Sequence, residues 1–202
     1  MVVLVSHRAY DEQSVLDRLA RLERRSRTAF AASCAQRLLP LFERYAQSTG
    51  DPGLGARLGN VVAAAWDVAS GSGADVSALQ AEAEAMVPSH RDGWTFEMGY
   101  GQNAAAAAAY AIRTWLTDDA QEAAWAARQV YELADYAVLH GSSELDLNEP
   151  GAESQILASE IVQGVLEALA QSLDAVEAGP PTWDELQETA AAQGRAWADA
   201  MP

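Results

Sequence analysis

Lysine is absent from the 202 residues, and all 13 basic residues are arginine. That absence removes Schiff-base, pyridoxal-phosphate and P-loop chemistry, each of which needs a lysine amine. Cysteine occurs once, as Cys34, so no intrachain disulfide can form. A lone thiol fits a reducing compartment, and the reading is cytoplasmic. Phe30 and Leu38, four residues to either side, place Cys34 on an apolar helix face as a core thiol rather than a nucleophile. Histidine occurs three times, at His7, His90 and His140. None has a His or Cys partner at zinc spacing, and no E-x-x-H di-iron motif is present. No G-x-S-x-G elbow is present either. No catalytic residue, metal ligand or cofactor site is therefore expected, and the reading points away from an enzyme. Long apolar runs are missing too. The opening MVVLV lacks the features of a signal peptide. The run from Gln102 to Thr117 falls short of the ~20 apolar residues a membrane span needs.

What is present is alanine and acid. Alanine supplies 43 residues, and the formal charge is -16. The charge is uneven. Residues 1–45 hold eight Arg against five acids, whereas residues 46–202 hold five Arg against 24 acids. An acidic body of this kind disfavours nucleic acid and anionic membrane and suits a basic protein partner.

The pattern is helical throughout. Residues 1–10 read as an N-terminal arm, and residues 11–202 as one all-α domain, a bundle of seven or eight mostly antiparallel helices. At its centre stands an alanine-rich helical hairpin, Gln102 to Leu139. The run Ala104 to Ala109 has the best helix propensity of any residue. Ala108, Ile112 and Trp115 share one face, and Ala124, Ala127, Tyr131, Ala134 and Val138 share another. Thr117 reads as the N-cap of the second helix, with Asp118 and Asp119 in its first turn. A turn this short makes the two helices antiparallel neighbours.

The other helices follow from stripes and stops. The first covers Asp11 to about Glu23. The second covers about Ser26 to Gln47, buries Phe30, Cys34, Leu38, Leu41, Phe42 and Tyr45, and is expected to kink or break at Pro40. Asp51-Pro52 starts a third, which stops near Gly71. Asp75 caps a weak fourth, ending before Pro88. One long helix covers Pro150 to Val176. Thr182-Trp183-Asp184-Glu185 reads as a capping box opening the last. Arg24, Arg25 and Arg27 cluster at a bend, where they can pair with acids or grip a phosphate.

Two near-motifs fail on context. Gly99-x-Gly101-x-x-Ala104 matches a dinucleotide fingerprint, but no parallel βαβ unit surrounds it. Its glycines read instead as the turn into the hairpin. Asp146 to Gly151 mimics the start of a calcium loop. The twelfth position is Leu157, where a bidentate Glu is needed, and Pro150 takes a ligand position.

Several stretches in order resemble the YjaG-like bacterial family, a family of unknown function. They are Leu16 to Gly50, Ala85-Met-Val-Pro88-Ser with the aromatic loop and hairpin after it, and Asn148-Glu149-Pro150 leading into a long helix. The resemblance spans about residues 15 to 175. It implies a compact, all-helical, cytoplasmic bacterial protein, with no assigned reaction and no catalytic residues to carry over.

Three functional readings stay open. The first is a non-enzymatic protein-binding module whose acidic surface meets a basic partner, for instance by immunity-type neutralisation. Its candidate face is Asp118, Asp119, Glu122, Glu132, Asp135, Glu144 and Asp146. The second is a helical small-ligand binder or enzyme using the 89–100 loop, where His90, Arg91, Asp92, Trp94 and Tyr100 are the candidates. The third is a homo-oligomer joined through an alanine-rich face.

Overall fold

The computed structural model describes residues 7–89, 93–141 and 151–202. Among these residues there are nine helices and no strand. They are α1 (Glu12–Leu19), α2 (Arg24–Thr49), α3 (Pro52–Ala69), α4 (Leu79–Ala85), α5 (Phe96–Thr117), α6 (Ala120–Gly141), α7 (Ala152–Ala158), α8 (Glu160–Ala178) and α9 (Asp184–Ala200). The all-α bundle expected from the periodicity is what the chain forms.

The α5–α6 hairpin is buried as its alanines require. Ala104, Ala105, Ala107, Ala108, Ala109 and Ala111 lie in the core, as do Ala123, Ala124, Ala126, Ala127, Ala134 and Ala137. It shares the centre with α2, which packs against α3, α5, α6, α8 and α9. The reason lies in α2's composition. Its 26 residues place Phe30, Leu38, Leu41 and Phe42 around the axis among small Ala and Ser side chains, so several helices can approach it. Pro40 does not break α2, which runs on to Thr49. A proline inside a helix costs about 3 kcal/mol. The fully buried side chains on both sides of it, Leu38, Leu41 and Phe42, offset that cost.

Cys34 is fully buried, as its helical register predicted. Burial pushes its thiol up to about 12. The native protein should therefore react with a thiol reagent such as DTNB only as fast as it unfolds. Labelling that is complete within seconds in buffer would show an accessible thiol instead.

Several local expectations are corrected. Thr117 is the last residue of α5, and its hydroxyl donates to the Arg113 carbonyl at 2.8 Å. It caps nothing. The turn is made by Asp118 in the left-handed region (φ 57°), and Asp119 Oδ1 accepts from the Gln121 N–H at 2.9 Å. Asp75 does not start α4 directly. It accepts from the Ser77 N–H at 3.0 Å in a turn before that helix. The long helix expected over residues 150–176 is two, α7 and α8, which meet at a bend of 56°. The break is at Ser159, whose hydroxyl accepts from the Val162 N–H and caps α8. Thr182 forms no capping box either. The N-cap of α9 is Trp183, with no side-chain cap. Its indole N–H donates to the Ala69 carbonyl at 3.2 Å, and Arg25 Nε donates to the same oxygen at 3.1 Å. The tie across three helix ends wins over a local cap.

Gly99 and Gly101 are also not a turn. Both lie inside α5, which starts six residues before Gln102. A Cβ at Gly101 would lie 2.5 Å from the Tyr45 ring, and one at Gly99 would overlap the Tyr136 ring. The glycines let tyrosines from α2 and α6 lie flat on the α5 backbone, which is close packing rather than chain reversal.

Among the described residues, no single helix is long and apolar enough to cross a membrane. The described end of the N-terminal arm is held down. The Arg8 N–H and carbonyl both bond the Gln163 amide at 2.9 Å, and the Tyr10 ring stacks on Tyr131 at 4.8 Å.

Candidate functional site

The structure disperses the candidates on the acidic face. Glu122 is only 4% exposed and cannot belong to a surface. Its Oε1 meets Arg113 at 2.5 Å, its Oε2 is buried without a partner, and burial holds its carboxyl above the ordinary range. Asp118 is spent on Arg24 (3.7 Å) and Arg27 (3.1 Å), and Glu132 on Arg128 (2.6 Å). Asp119 caps α6. Asp135 is half-buried, and burial raises its carboxyl. Asp118 and Asp135 are separated by roughly 25 Å of helix axis at 1.5 Å per residue. Glu144 and Asp146 lie outside the described residues.

The 89–100 candidates divide similarly. His90, Arg91 and Asp92 lie outside the described residues. Trp94 is 40% exposed and donates to the Tyr136 hydroxyl at 3.3 Å. Tyr100 is fully buried, and its hydroxyl donates to the Pro202 carbonyl at 2.9 Å. Phe96, Tyr100 and Tyr136 pack ring on ring, with centroids 5.0 to 6.1 Å apart. Tyr100 fills the core beneath this loop rather than lining a hollow. The Arg cluster does pair with acid, through Asp118, and Arg24 also lies 5.0 Å over the Trp115 ring.

A different group stands out. Arg37 lies mid-way along α2 and is 0% exposed. Its guanidinium joins three helices. Nε donates to Gln193 Oε1 at 2.8 Å, Nη1 to the Ser33 carbonyl and hydroxyl at 3.1 and 3.0 Å, and Nη2 to Ser172 Oγ at 2.8 Å. Every acceptor is neutral, and among the described residues no carboxylate pairs with it. Burial lowers its pKa to about 10, so it keeps its charge at neutral pH. The Ser172 hydroxyl gives its own proton to the Ala168 carbonyl at 3.0 Å and so serves Arg37 purely as an acceptor.

Arg37 and Ser172 form the floor of a cavity of about 520 Å³ between α8 and α9. Ala175, Ala178, Pro180, Pro181 and Leu186 make its apolar walls, and Gln171, Thr182, Glu185 and Thr189 its polar margin. The volume lies within the usual range for small-ligand sites. A smaller, more polar hollow of about 200 Å³ lies across Pro180 to Thr182, lined by Glu23, Arg25, Ser70 and Asp184. No group of three or more His, Cys, Asp or Glu that could hold a metal occurs among the described residues.

A family model described as a protein of unknown function (DUF416) matches residues 14–189. The chain belongs to the DUF416 family. The solved structure of a DUF416 family protein from Shewanella baltica OS155 superposes with a TM-score of 0.72 at 16% identity, covering 90% of this chain and 93% of that one. At that identity the likeness concerns the fold. No curated protein matches. Family membership thus supports the all-helical architecture and leaves the Arg37 site to be argued from its own geometry.

Arg37 could have been found from the sequence. It lies three residues after Cys34 and four before Leu41, on the buried face of α2. Reading that face by its apolar members alone passes over it. Its acceptors come from α8 and α9, more than 130 positions away, and no local pattern announces them.

Proposed function

We propose that this DUF416 protein is a non-enzymatic binding module whose acidic surface associates with a basic protein, as an immunity-type protein would. The observation that carries this reading is the charge imbalance. With 29 acids and 13 arginines, at least 16 carboxylates remain even if every arginine takes one. Seven arginines are already committed to internal ion pairs, among them Arg18 to Asp174 and Glu177 and Arg8 to Glu167. The excess belongs to residues 46–202 as a whole, so the reading does not depend on a single cluster of acids. Opposite charge steers encounter and raises the association rate, and salt screens that steering. The narrower likeness to YjaG-like members rests on the stretches quoted above and adds no activity.

The test begins with capture from the native cell at low salt, followed by stopped-flow association with the purified partner. The association rate should fall at least about tenfold between roughly 20 and 500 mM NaCl. A rate independent of salt, or a captured partner that is itself acidic, overturns the proposal.

A homo-oligomer joined through an alanine-rich face would have to use alanines outside the hairpin, such as Ala192, Ala196 and Ala200 on α9, because most of the hairpin alanines are buried. The small-ligand reading gains support, at a different place from the 89–100 loop: the hollow above Arg37.

A further inference from the structure

We infer that the cavity between α8 and α9 is a binding site for a monocarboxylic acid with an apolar chain, its carboxylate taken by Arg37 and its chain lying along Ala175, Ala178, Pro180, Pro181 and Leu186. Nothing in the charge-driven association proposed above requires this site.

The argument starts from an uncompensated charge. A guanidinium withdrawn from water loses its hydration, and such groups are ordinarily paired with an anion. Arg37 has five N–H donors. Four hydrogen bonds account for them up to the last: one from Nε, two from Nη1 and one from Nη2. One Nη2 hydrogen is unspent. Nη2 is also the nitrogen that faces Ser172, the other floor residue of the cavity. Ser172 and Arg37 are both sealed from solvent, so a carboxylate gains Nη2 by displacing the Ser172 hydroxyl as acceptor. Turning the Ser172 hydroxyl aside gives up its bond to the Ala168 carbonyl, a neutral bond that the incoming charged acceptor offsets. A charged acceptor replaces a neutral one, and charge-assisted hydrogen bonds are roughly twice as strong.

The walls select the rest of the ligand. They are aliphatic and carry no aromatic ring or cation. Glu185 at the margin repels a second negative charge on the outer end, so a dicarboxylate is disfavoured and a monoanion favoured. The requirement is one anionic head inside and an apolar body leading outward.

Octanoate is the probe, titrated calorimetrically into the full chain beside 1-octanol and octylamine. We expect saturable one-to-one binding of octanoate, with octanol at least about 30-fold weaker, the scale set by losing one partner of a buried charge pair. Added salt should leave octanoate affinity unchanged or raise it, because the protein's net negative charge repels the anion. That is opposite to the salt response of a basic protein partner, so the two proposals can fail separately. R37M should abolish the preference of octanoate over octanol. Should R37M fail to fold, A175F decides the matter, since it fills the hollow and leaves Arg37 in place. It should remove octanoate binding while thermal unfolding stays cooperative. No saturable heat up to about 10 mM octanoate, equal affinity for octanol, or undiminished binding by A175F would each overturn the proposal.

Discussion

Ala108→Leu is expected to lower the free energy of unfolding by about 3 kcal/mol, and Ala127→Leu by a similar amount. Both side chains are fully buried on the two helices of the hairpin. Three extra carbons at either site have no void to enter, because the neighbouring positions are alanines already in contact with facing helices. A Leu must separate α5 from α6 or from α2, and each separation loses contacts along the whole seam. Helix propensity does not rescue the variants, since Leu is only slightly worse than Ala in a helix. For a domain of this length the midpoint should fall by roughly 6–12 °C, at 2–4 °C per kcal/mol. Urea and thermal denaturation of each variant measure it. Wild-type midpoints in both would show that the hairpin is not the packed centre described above.

Two glycine substitutions should act in opposite directions. Gly194 lies in α9 where a Cβ would sit 2.6 Å from the Arg37 carbonyl oxygen and 3.0 Å from its Cα. These are backbone atoms, so no rotamer change relieves the overlap, and α9 must lift from α2. Gly194→Ala should cost about 2 kcal/mol net, after the helix-propensity gain of roughly 1 kcal/mol is subtracted from the steric penalty. Gly164 is mid-helix in α8 with nothing within 4 Å of a Cβ. Gly164→Ala should stabilise by about 0.5–1 kcal/mol through reduced unfolded-state entropy and better propensity. Both are read from urea midpoints. Shifts of the same sign would mean that α9 does not approach α2 as closely as described.

How far the fold could be read from the chain depended on the range of the interaction concerned. Helices with strong stripes, such as α2 and α8, were legible because 3–4 spacing is a local signal. The break at Ser159 was not, because a serine at an N-cap and a serine on the polar side of a continuing helix look alike in sequence. The turn at 117–119 was misplaced by two residues, since Thr and Asp are both good caps and only the geometry of Asp118 separates them. The glycines at 99 and 101 were assigned to a turn, the commoner use of glycine, because nothing nearby in sequence names Tyr45 or Tyr136 as their partners.

The same division holds for the candidate sites. The acidic residues of 118–135 were visible as charges, but their individual fates came from tertiary packing: Glu122 buried, Asp118 paired, Asp119 capping. Arg37 was hidden among apolar neighbours. The sequence by itself determined the helical class, the lack of lysine and disulfide chemistry, the buried register of Cys34 and the surplus of negative charge. These follow from composition and from periods of three to four residues, which any helix imposes. Only the tertiary structure decided that α2 shares the centre with the hairpin, that two glycines serve ring packing, and that a buried arginine faces a hollow without a counter-charge among the described residues. Those features depend on side chains brought together from positions 37 to 156 apart in the chain, and helical periodicity carries no information about such pairings.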